Sequence, residues 1–294
     1  MRIIDILNEK EVTLSFEVFP SKTEEGILTV EQATEKIAAL SPDFMSVTYG
    51  AGGGTSRHTT RIAADLQQKY GTNVLAHLTC VSSTKETVRN MIETYREHGI
   101  ENIMALRGDI PAEGRTVFDY NHASELIYDI KSVDDKLCIG GACYPEGHVE
   151  CERQSEDIRH LKEKVDAGCD FLTTQMFFDN STMYSFLYRI REAGIEVPVV
   201  AGIMPITSPA QVKRSVALSG ATIPQRFKTM VDRFGDDPLS MKQAGVVYAA
   251  EQIIDLIANN VGHIHVYTMN KPEIAAGIRN SLSAIWGVTT EETV

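Results

Sequence analysis

The chain has 294 residues, with 43% hydrophobic and 23% charged, the balance of a soluble globular protein with a sizeable core. Its net charge of −12 argues against a broad nucleic-acid or membrane-binding surface, so an anionic substrate would need its own local Lys or Arg. No apolar run approaches the roughly 20 residues of a bilayer-spanning helix, and the N-terminal MRIIDILNEKEV shows no signal-peptide pattern. The expected location is cytoplasmic. The five cysteines are odd in number and contain no CxxC pair, which fits a reduced pool and gives no metal-knuckle signal.

Runs of strand length recur along the chain. TLSFEVFP begins at Thr13, FMSVTYGA at Phe44, NVLAHLTC at Asn73 and NIMALRGD at Asn102. LCIGGACYPE then begins at Leu137, FLTTQMFFD at Phe171, PVVAGIMPI at Pro198 and HIHVYTMN at His263. The first seven start about 30 residues apart, the length of one strand–helix unit. Segments between them, such as VEQATEKIAAL and TKETVRNMIETYREHG, carry apolar residues at helical spacing and end near Gly or Pro. Eight alternating units predict an α/β fold of the (β/α)8, or TIM, barrel type, as one domain over residues 1–294. A doubly wound open sheet is the rival, disfavoured by the regular spacing and by the lack of GxGxxG after strand 1. The longer stretch 207–260 holds Ser208-Pro209, Ile223-Pro224 and Asp237-Pro238, each a helix start. Extra helices are expected there, between strands 7 and 8.

Alternation sorts each strand into two faces. Leu14, Phe16 and Val18 suit packing under helices, leaving Thr13, Ser15, Glu17 and Phe19 to point into the barrel. By the same sorting Ser46 and Thr48, His77 and Thr79, Arg107 and Asp109, Thr173 and Gln175, and His263, His265 and Tyr267 share the interior face. Barrel interiors are usually filled by branched apolar side chains, and barrel active sites lie at the C-terminal strand ends. A single polar residue there would read as a satisfied core group. Repetition over six strands points to an enzyme. Glu17 is the sharpest case, because an ionised carboxylate is costly to bury unless it is paired.

Several chemistries remain open on residues alone. Glu17, His77, Asp109, His148 and the His263/His265 pair could suit a metal-dependent barrel hydrolase or aldolase, although such barrels generally carry their His-x-His pair on strand 1. Lys22 and Lys271 are poor Schiff-base candidates, and no GxSxG elbow is present. YGAGGGTSRHT (49–59) permits close approach to a ligand but lacks a P-loop ending. ALRGD (105–109) sets an Arg and an Asp around Gly108, fit for a cofactor with anionic and polar edges, or for an internal salt bridge.

Taken together, SFEVFP, SVTYGAGG, AHLTC, ALRGD, YPEGH, KVDAG, TQMFFD, AGIMPI and VYTMNK closely resemble the bacterial-type methylenetetrahydrofolate reductases, in order and over almost the whole chain. The resemblance implies a barrel with FAD at its C-terminal strand ends. It also implies ping-pong hydride transfer from NAD(P)H to flavin and on to methylenetetrahydrofolate. Glu17 then matches the general acid that opens the folate imidazolidine ring, and a raised pKa is expected for it. Asp109 matches the aspartate near the flavin and pterin, counted both as catalytic and as a ligand contact. Thr48, His77, Arg107, Gly108, His122, Ala123, Tyr144 and His148 fall at flavin-contact positions. Asp157, His160 and Lys164 lie on the segment that contacts FAD ribose and phosphates. Pro20, Gln175, Gln211 and Lys271 match substrate contacts, with Lys271 standing where relatives carry Arg. No metal is implied.

The resemblance departs at His160 and Glu163, where Asn and Arg are often found. An acid replacing a phosphate-binding Arg implies looser FAD retention, unless Glu163 faces solvent and Lys164 carries the contact. Family habits also imply a homo-oligomer and leave room for an iron–sulfur partner subunit. The sequence ends at WGVTTEETV, so no regulatory C-terminal domain is expected.

Overall fold

The computed structural model describes residues 1–21, 23–49, 56–110, 114, 117 and 119–287. Eight parallel strands close into a barrel in the order β1-β2-β3-β4-β5-β6-β7-β8. They are β1 (Thr13–Val18), β2 (Phe44–Val47), β3 (Val74–Thr79), β4 (Asn102–Leu106), β5 (Cys138–Cys143), β6 (Phe171–Thr174), β7 (Val199–Ile203) and β8 (His263–Val266). Each lies within one of the predicted runs.

Helices α2 (Glu24–Ala38), α3 (Ser56–Tyr70), α4 (Lys85–Glu97), α5 (Ala123–Val133), α6 (Gln154–Asp166) and α7 (Asn180–Glu192) connect successive strands. The expected insertion holds α8 (Pro209–Ser219), α9 (Gln225–Phe234) and α10 (Pro238–Ala258), and α11 (Pro272–Ser281) follows β8. The prolines work as predicted at α8 and α10. Ser208 Oγ and an Asp237 carboxylate oxygen accept the backbone N–H groups of Gln211 and Leu239 at 3.3 and 3.1 Å, and proline fills the first helical position. At α9 the proline is one residue earlier, as the N-cap itself.

Outward strand residues such as Phe16, Val18, Met45, Val47 and Leu78 are fully buried under the helices in one continuous core. Each contributes roughly 1.5–3 kcal/mol by leaving water. A second cluster seals the barrel floor. It comprises Phe44, Leu75, Met104, Cys138, Phe171 and Val200, capped by Ile3 and Leu7. Those last two come from α1 (Ile3–Glu9), a short helix the sequence reading did not anticipate. The Asn102 side chain tethers it, accepting from the Ile3 N–H at 2.7 Å and donating to the Val74 carbonyl at 3.1 Å.

Strand parity fails once. In β4 the interior residues are Asn102, Met104 and Leu106, while Ile103 and Ala105 face the helices. Arg107 and Asp109 have the outward parity, contrary to the sequence reading. The strand stops at Leu106, and the turn at Gly108 (φ +86°) redirects the chain, so a loop delivers both residues to the barrel mouth.

Candidate active site

Glu17 sits next to the last residue of β1, opposite Ser46 in the β1–β2 register. Its side chain is 19% exposed and lies 3.9 Å from His77 Nε2. Burial pushes the Glu17 carboxyl up to about 7, against an opposing hydrogen bond to Ser46. Burial also drives His77 down to about 4, so the imidazole is neutral when Glu17 titrates. His77 Nε2 is buried without a hydrogen-bond partner. The neighbouring His265 is pressed down to about 3 by burial, with His77 adding to the effect. It lies 2.8 Å from Ser15 Oγ through Nδ1 and 3.1 Å from Ser46 Oγ through Nε2. Tyr267 packs edge-on against it, with ring centroids 5.3 Å apart, and donates its hydroxyl to the Thr174 carbonyl at 2.7 Å. Gly202 makes room for this tyrosine. A Cβ there would stand 2.3 Å from the Thr174 carbonyl oxygen and 2.7 Å from the Tyr267 ring and hydroxyl.

A cavity of about 650 Å³ opens at the C-terminal ends of β3 to β5, with Tyr49 after β2 and the helix α6 completing its wall. Arg107, Gly108, Asp109, His122, Ala123, Tyr144, His148, Asp157, His160 and Lys164 all line it, so ten of the predicted cofactor positions converge on one space. Arg107 donates to both carboxylate oxygens of Glu150, at 2.6 and 2.9 Å. Glu150 went unnoticed in the sequence, where only its place two residues after His148 marks it. The fork holds the guanidinium pKa above, and the Glu150 pKa below, the ordinary values. Lys164 is deeply placed and donates to the Ala142 carbonyl at 2.8 Å. Burial lowers its pKa and raises that of Asp157, while their mutual attraction opposes both shifts.

The His160 and Glu163 departures form a local pair. Glu163 Oε2 lies 3.1 Å from His160 Nδ1, and Arg159 reaches the other oxygen at 3.7 Å. Glu163 still lines the cavity, so its charge faces the space rather than open solvent alone. His160 stacks on His122, with centroids 5.6 Å apart. Tyr144 meets His148 edge-on at 4.6 Å, and burial raises the Tyr144 phenol to about 12.

Two predicted substrate residues meet elsewhere on the mouth. Lys271 Nζ donates to Thr207 Oγ1 at 3.2 Å, and Gln211 Oε1 accepts the Thr207 N–H at 3.0 Å. Thr207 is the link that sequence reasoning missed. Gln175 follows β6, where its side-chain oxygen accepts the Met176 N–H at 3.0 Å. Thr48 follows β2, donating its N–H to the Val18 carbonyl at 3.0 Å. Pro20 is buried just beyond β1. Thr48, Gln175 and Pro20 do not line the cavity, nor do Glu17 and His77. The glycine run 50–54 and Lys22 lie outside the described residues. Among the described residues no three His, Cys, Asp or Glu side chains gather as a metal site, and no helix is long and apolar enough to cross a membrane.

Comparison with known proteins fits this geometry. The family model described as methylenetetrahydrofolate reductase matches residues 2–283. The 5,10-methylenetetrahydrofolate reductase of Pectobacterium carotovorum is 34% identical over 271 residues, covering 92% of this chain and 90% of that protein. The Escherichia coli enzyme of the same name is 34% identical over 273 residues, covering 92% and 91%. Methylenetetrahydrofolate reductase (NADH) 1 of Arabidopsis thaliana is 32% identical, and the match spans 51% of its length. A Clostridium thermocellum protein, described as binding two copies of 5-methyl-5,6,7,8-tetrahydrofolic acid, shares the fold. Its TM-score is 0.63 at 15% identity, over 97% of this chain and 99% of its own. The near-full-length family match, with eight strands in register, makes the chain a member of the methylenetetrahydrofolate reductase family.

Proposed function

We propose that this protein reduces 5,10-methylenetetrahydrofolate to 5-methyltetrahydrofolate with hydride from NADH or NADPH, passed through FAD. The observation that carries the proposal is Glu17, a carboxyl raised to about 7 beside a neutral His77 at the barrel mouth. A group half-protonated near neutral pH is a competent general acid, worth roughly 10²–10⁴-fold in rate.

The residues present fit an FAD. A cavity of about 650 Å³ is in the range of cofactor pockets, and it sets the cations of Arg107 and Lys164 beside the aromatic rings of Tyr144 and His148. Arg107, Gly108, His122, Ala123, Tyr144, His148, Asp157 and Lys164 would hold the group, with the stacked His122/His160 pair forming one wall. When bound, FAD supplies a site that accepts hydride from the nicotinamide and later gives it up. The acidic rim of Glu150, Glu152, Glu156 and Glu163 opposes its phosphates, which supports weak retention of the cofactor.

Glu17 gives its proton to a bridging nitrogen of the substrate, and the five-membered ring opens to an iminium cation ready for hydride. Asp109, exposed at the mouth, offers that cation a negative charge. Gln175 orients the pterin, and the Lys271–Thr207–Gln211 cluster holds the acidic tail. The Arabidopsis relative is named for NADH; for this chain either nicotinamide nucleotide is a candidate donor.

An anaerobic visible spectrum of the FAD-supplemented protein, before and after NADH or NADPH, tests the proposal. Bleaching of the flavin band, reversed by methylenetetrahydrofolate, is expected. A flavin that both nucleotides leave yellow would remove them as donors and point to an iron–sulfur partner subunit. Absence of flavin binding would overturn the reading.

A further inference from the structure

The pairing of β1 with β8 ends at Phe16 opposite Val266, yet β1 runs on to Val18 and carries Glu17 past that last pair. On its other edge this strand end is held by the segment after β2, where the Thr48 N–H donates to the Val18 carbonyl at 3.0 Å. On the β8 edge, two side chains continue where the paired strand stops. Thr268 Oγ1 donates to the Glu17 carbonyl at 3.2 Å, and Asn270 Nδ2 donates to the Phe19 carbonyl at 2.8 Å. Asn270 Oδ1 in turn accepts the Phe19 N–H at 3.0 Å.

We propose that Asn270 is a positioning residue for Glu17. Its amide stands in for the absent strand partner and keeps the end of β1 in line, which holds the Glu17 carboxyl inside the barrel mouth. The inference rests on the general-acid reading of Glu17 and adds to it what keeps the acid in place.

Residue type and backbone agree on this role. Phe19 offers one N–H, which can only donate, and one carbonyl, which can only accept. A primary amide answers both with one planar group, which neither a carboxylate nor an ammonium can do. Pro20 disfavours the helical region for Phe19, and an extended residue turns its N–H and carbonyl to the same edge, within reach of a single amide. Met269 and Asn270 both have left-handed backbones, at φ +56° and +55°. That conformation is costly for residues other than glycine, and Asn is among the few that tolerate it. Glycine at 270 would relieve the backbone but could not supply the amide. The next residue is Lys271, whose N–H donates to the Thr268 carbonyl at 3.1 Å and whose Nζ donates to Thr207 Oγ1. One short turn thus grips the Glu17 strand and carries the lysine of the tail cluster, giving both ends of the proposed folate site a common reference.

The titratable groups around the Glu17 carboxyl are His77 from β3 at 3.9 Å and Tyr267 just past β8, with His265 packed on the Tyr267 ring. Opposite on β2 stands Ser46, which carries no charge. The Asn270 amide is committed to Phe19, so its loss reaches the carboxyl through the strand end.

The test is ¹³C NMR of the glutamate carboxyls in the FAD-loaded full chain, titrated from pH 4 to 9, with Glu17→Gln identifying the Glu17 signal. Asn270→Gly removes the amide and keeps a residue at ease in the left-handed turn. With the strand end loosened the carboxyl gains water, and its midpoint should fall from about 7 by about one pH unit. Thr268→Val, which deletes only the hydroxyl on the Glu17 carbonyl, should move it the same way by less. Neither residue lines the cavity, so FAD affinity should be unchanged in both, while the folate half-reaction slows about tenfold in Asn270→Gly. A merely structural turn would lower the melting temperature and leave the midpoint in place, and that result overturns the proposal. Should Asn270→Gly not fold, Thr268→Val decides alone, an unmoved midpoint again overturning it. Should Glu17→Gln keep folate reduction, the general-acid reading falls, while the midpoint in Asn270→Gly still decides whether the amide holds the carboxyl.

Discussion

His77 Nε2 stands 3.9 Å from Glu17 Oε2, yet the two do not form an ion pair. Burial takes His77 down to about 4 and Glu17 up to about 7, so at pH 5.5 both are neutral, and above 7 only Glu17 is charged. Opposite charges at this spacing would instead have driven Glu17 down and His77 up. Loss of water outweighs attraction here, which leaves a proton on the group proposed above as the acid.

The pH dependence of the folate step follows. In the proposed mechanism Glu17 is active protonated, so folate reduction by the reduced enzyme should fall as pH rises through about 7. Glu17→Gln should lower that step by roughly 10²-fold or more while leaving flavin reduction by the nicotinamide intact. Rapid-mixing measurement of the separate half-reactions checks this, and equal loss in both would refute a role confined to the folate.

Stability should respond to the same substitution in a pH-dependent way. A carboxyl raised from 4.5 to about 7 in the folded state binds its proton more tightly there than in the unfolded chain. Its contribution to stability is therefore present below about 4.5 and is lost as pH rises through 7. Glu17→Gln should stabilise the protein at pH 8 by up to about 3 kcal/mol and have little effect at pH 4. Thermal melts at the two pH values would show it; an equal shift at both would contradict the assigned titration.

His77 acts with the opposite sign. Its folded value of about 4 lies below the ordinary 6.5, so the unfolded chain takes up the proton first and stability falls on acidification from 6.5 towards 4. His77→Asn should flatten this loss by a few kcal/mol. Urea midpoints at pH 7 and pH 4.5 should converge in the variant relative to the parent.

Glu163→Arg should tighten FAD by about tenfold, by removing one cavity-facing anion and supplying a forked cation for phosphate. Fluorescence titration of apoprotein measures this directly. An affinity already nanomolar and unmoved by the change would mean that Lys164 and Arg107 suffice.

At the tail cluster, Lys271→Ala should raise the KM for folate several-fold and leave KM for the nicotinamide nucleotide unchanged. An exposed point charge contributes about 1 kcal/mol at most. Steady-state kinetics with each substrate varied in turn distinguishes the two.

The strands, the barrel and most of the cavity were legible because strand alternation and strand–helix spacing are local properties of TLSFEVFP and its successors. Arg107 and Asp109 reach the mouth, but not by the parity that predicted it, since parity holds only while a strand continues and β4 stops at Leu106. Glu150, Thr207 and the Ser46–His265 bond were invisible because each depends on a partner 43, 64 or 219 residues away. The short helix α1 was hidden too. Its Ile3, Ile6 and Leu7 repeat at helical spacing, but seven residues give too little pattern to weigh against an unstructured terminus.

That helix leaves the opposite end of the barrel for chemistry. Ile3 and Leu7 share one hydrophobic cluster with Phe171 and Val200, which fills the end of the barrel opposite Glu17. In the function proposed above, nicotinamide donor and folate acceptor would both reach Glu17 from the mouth at the other end.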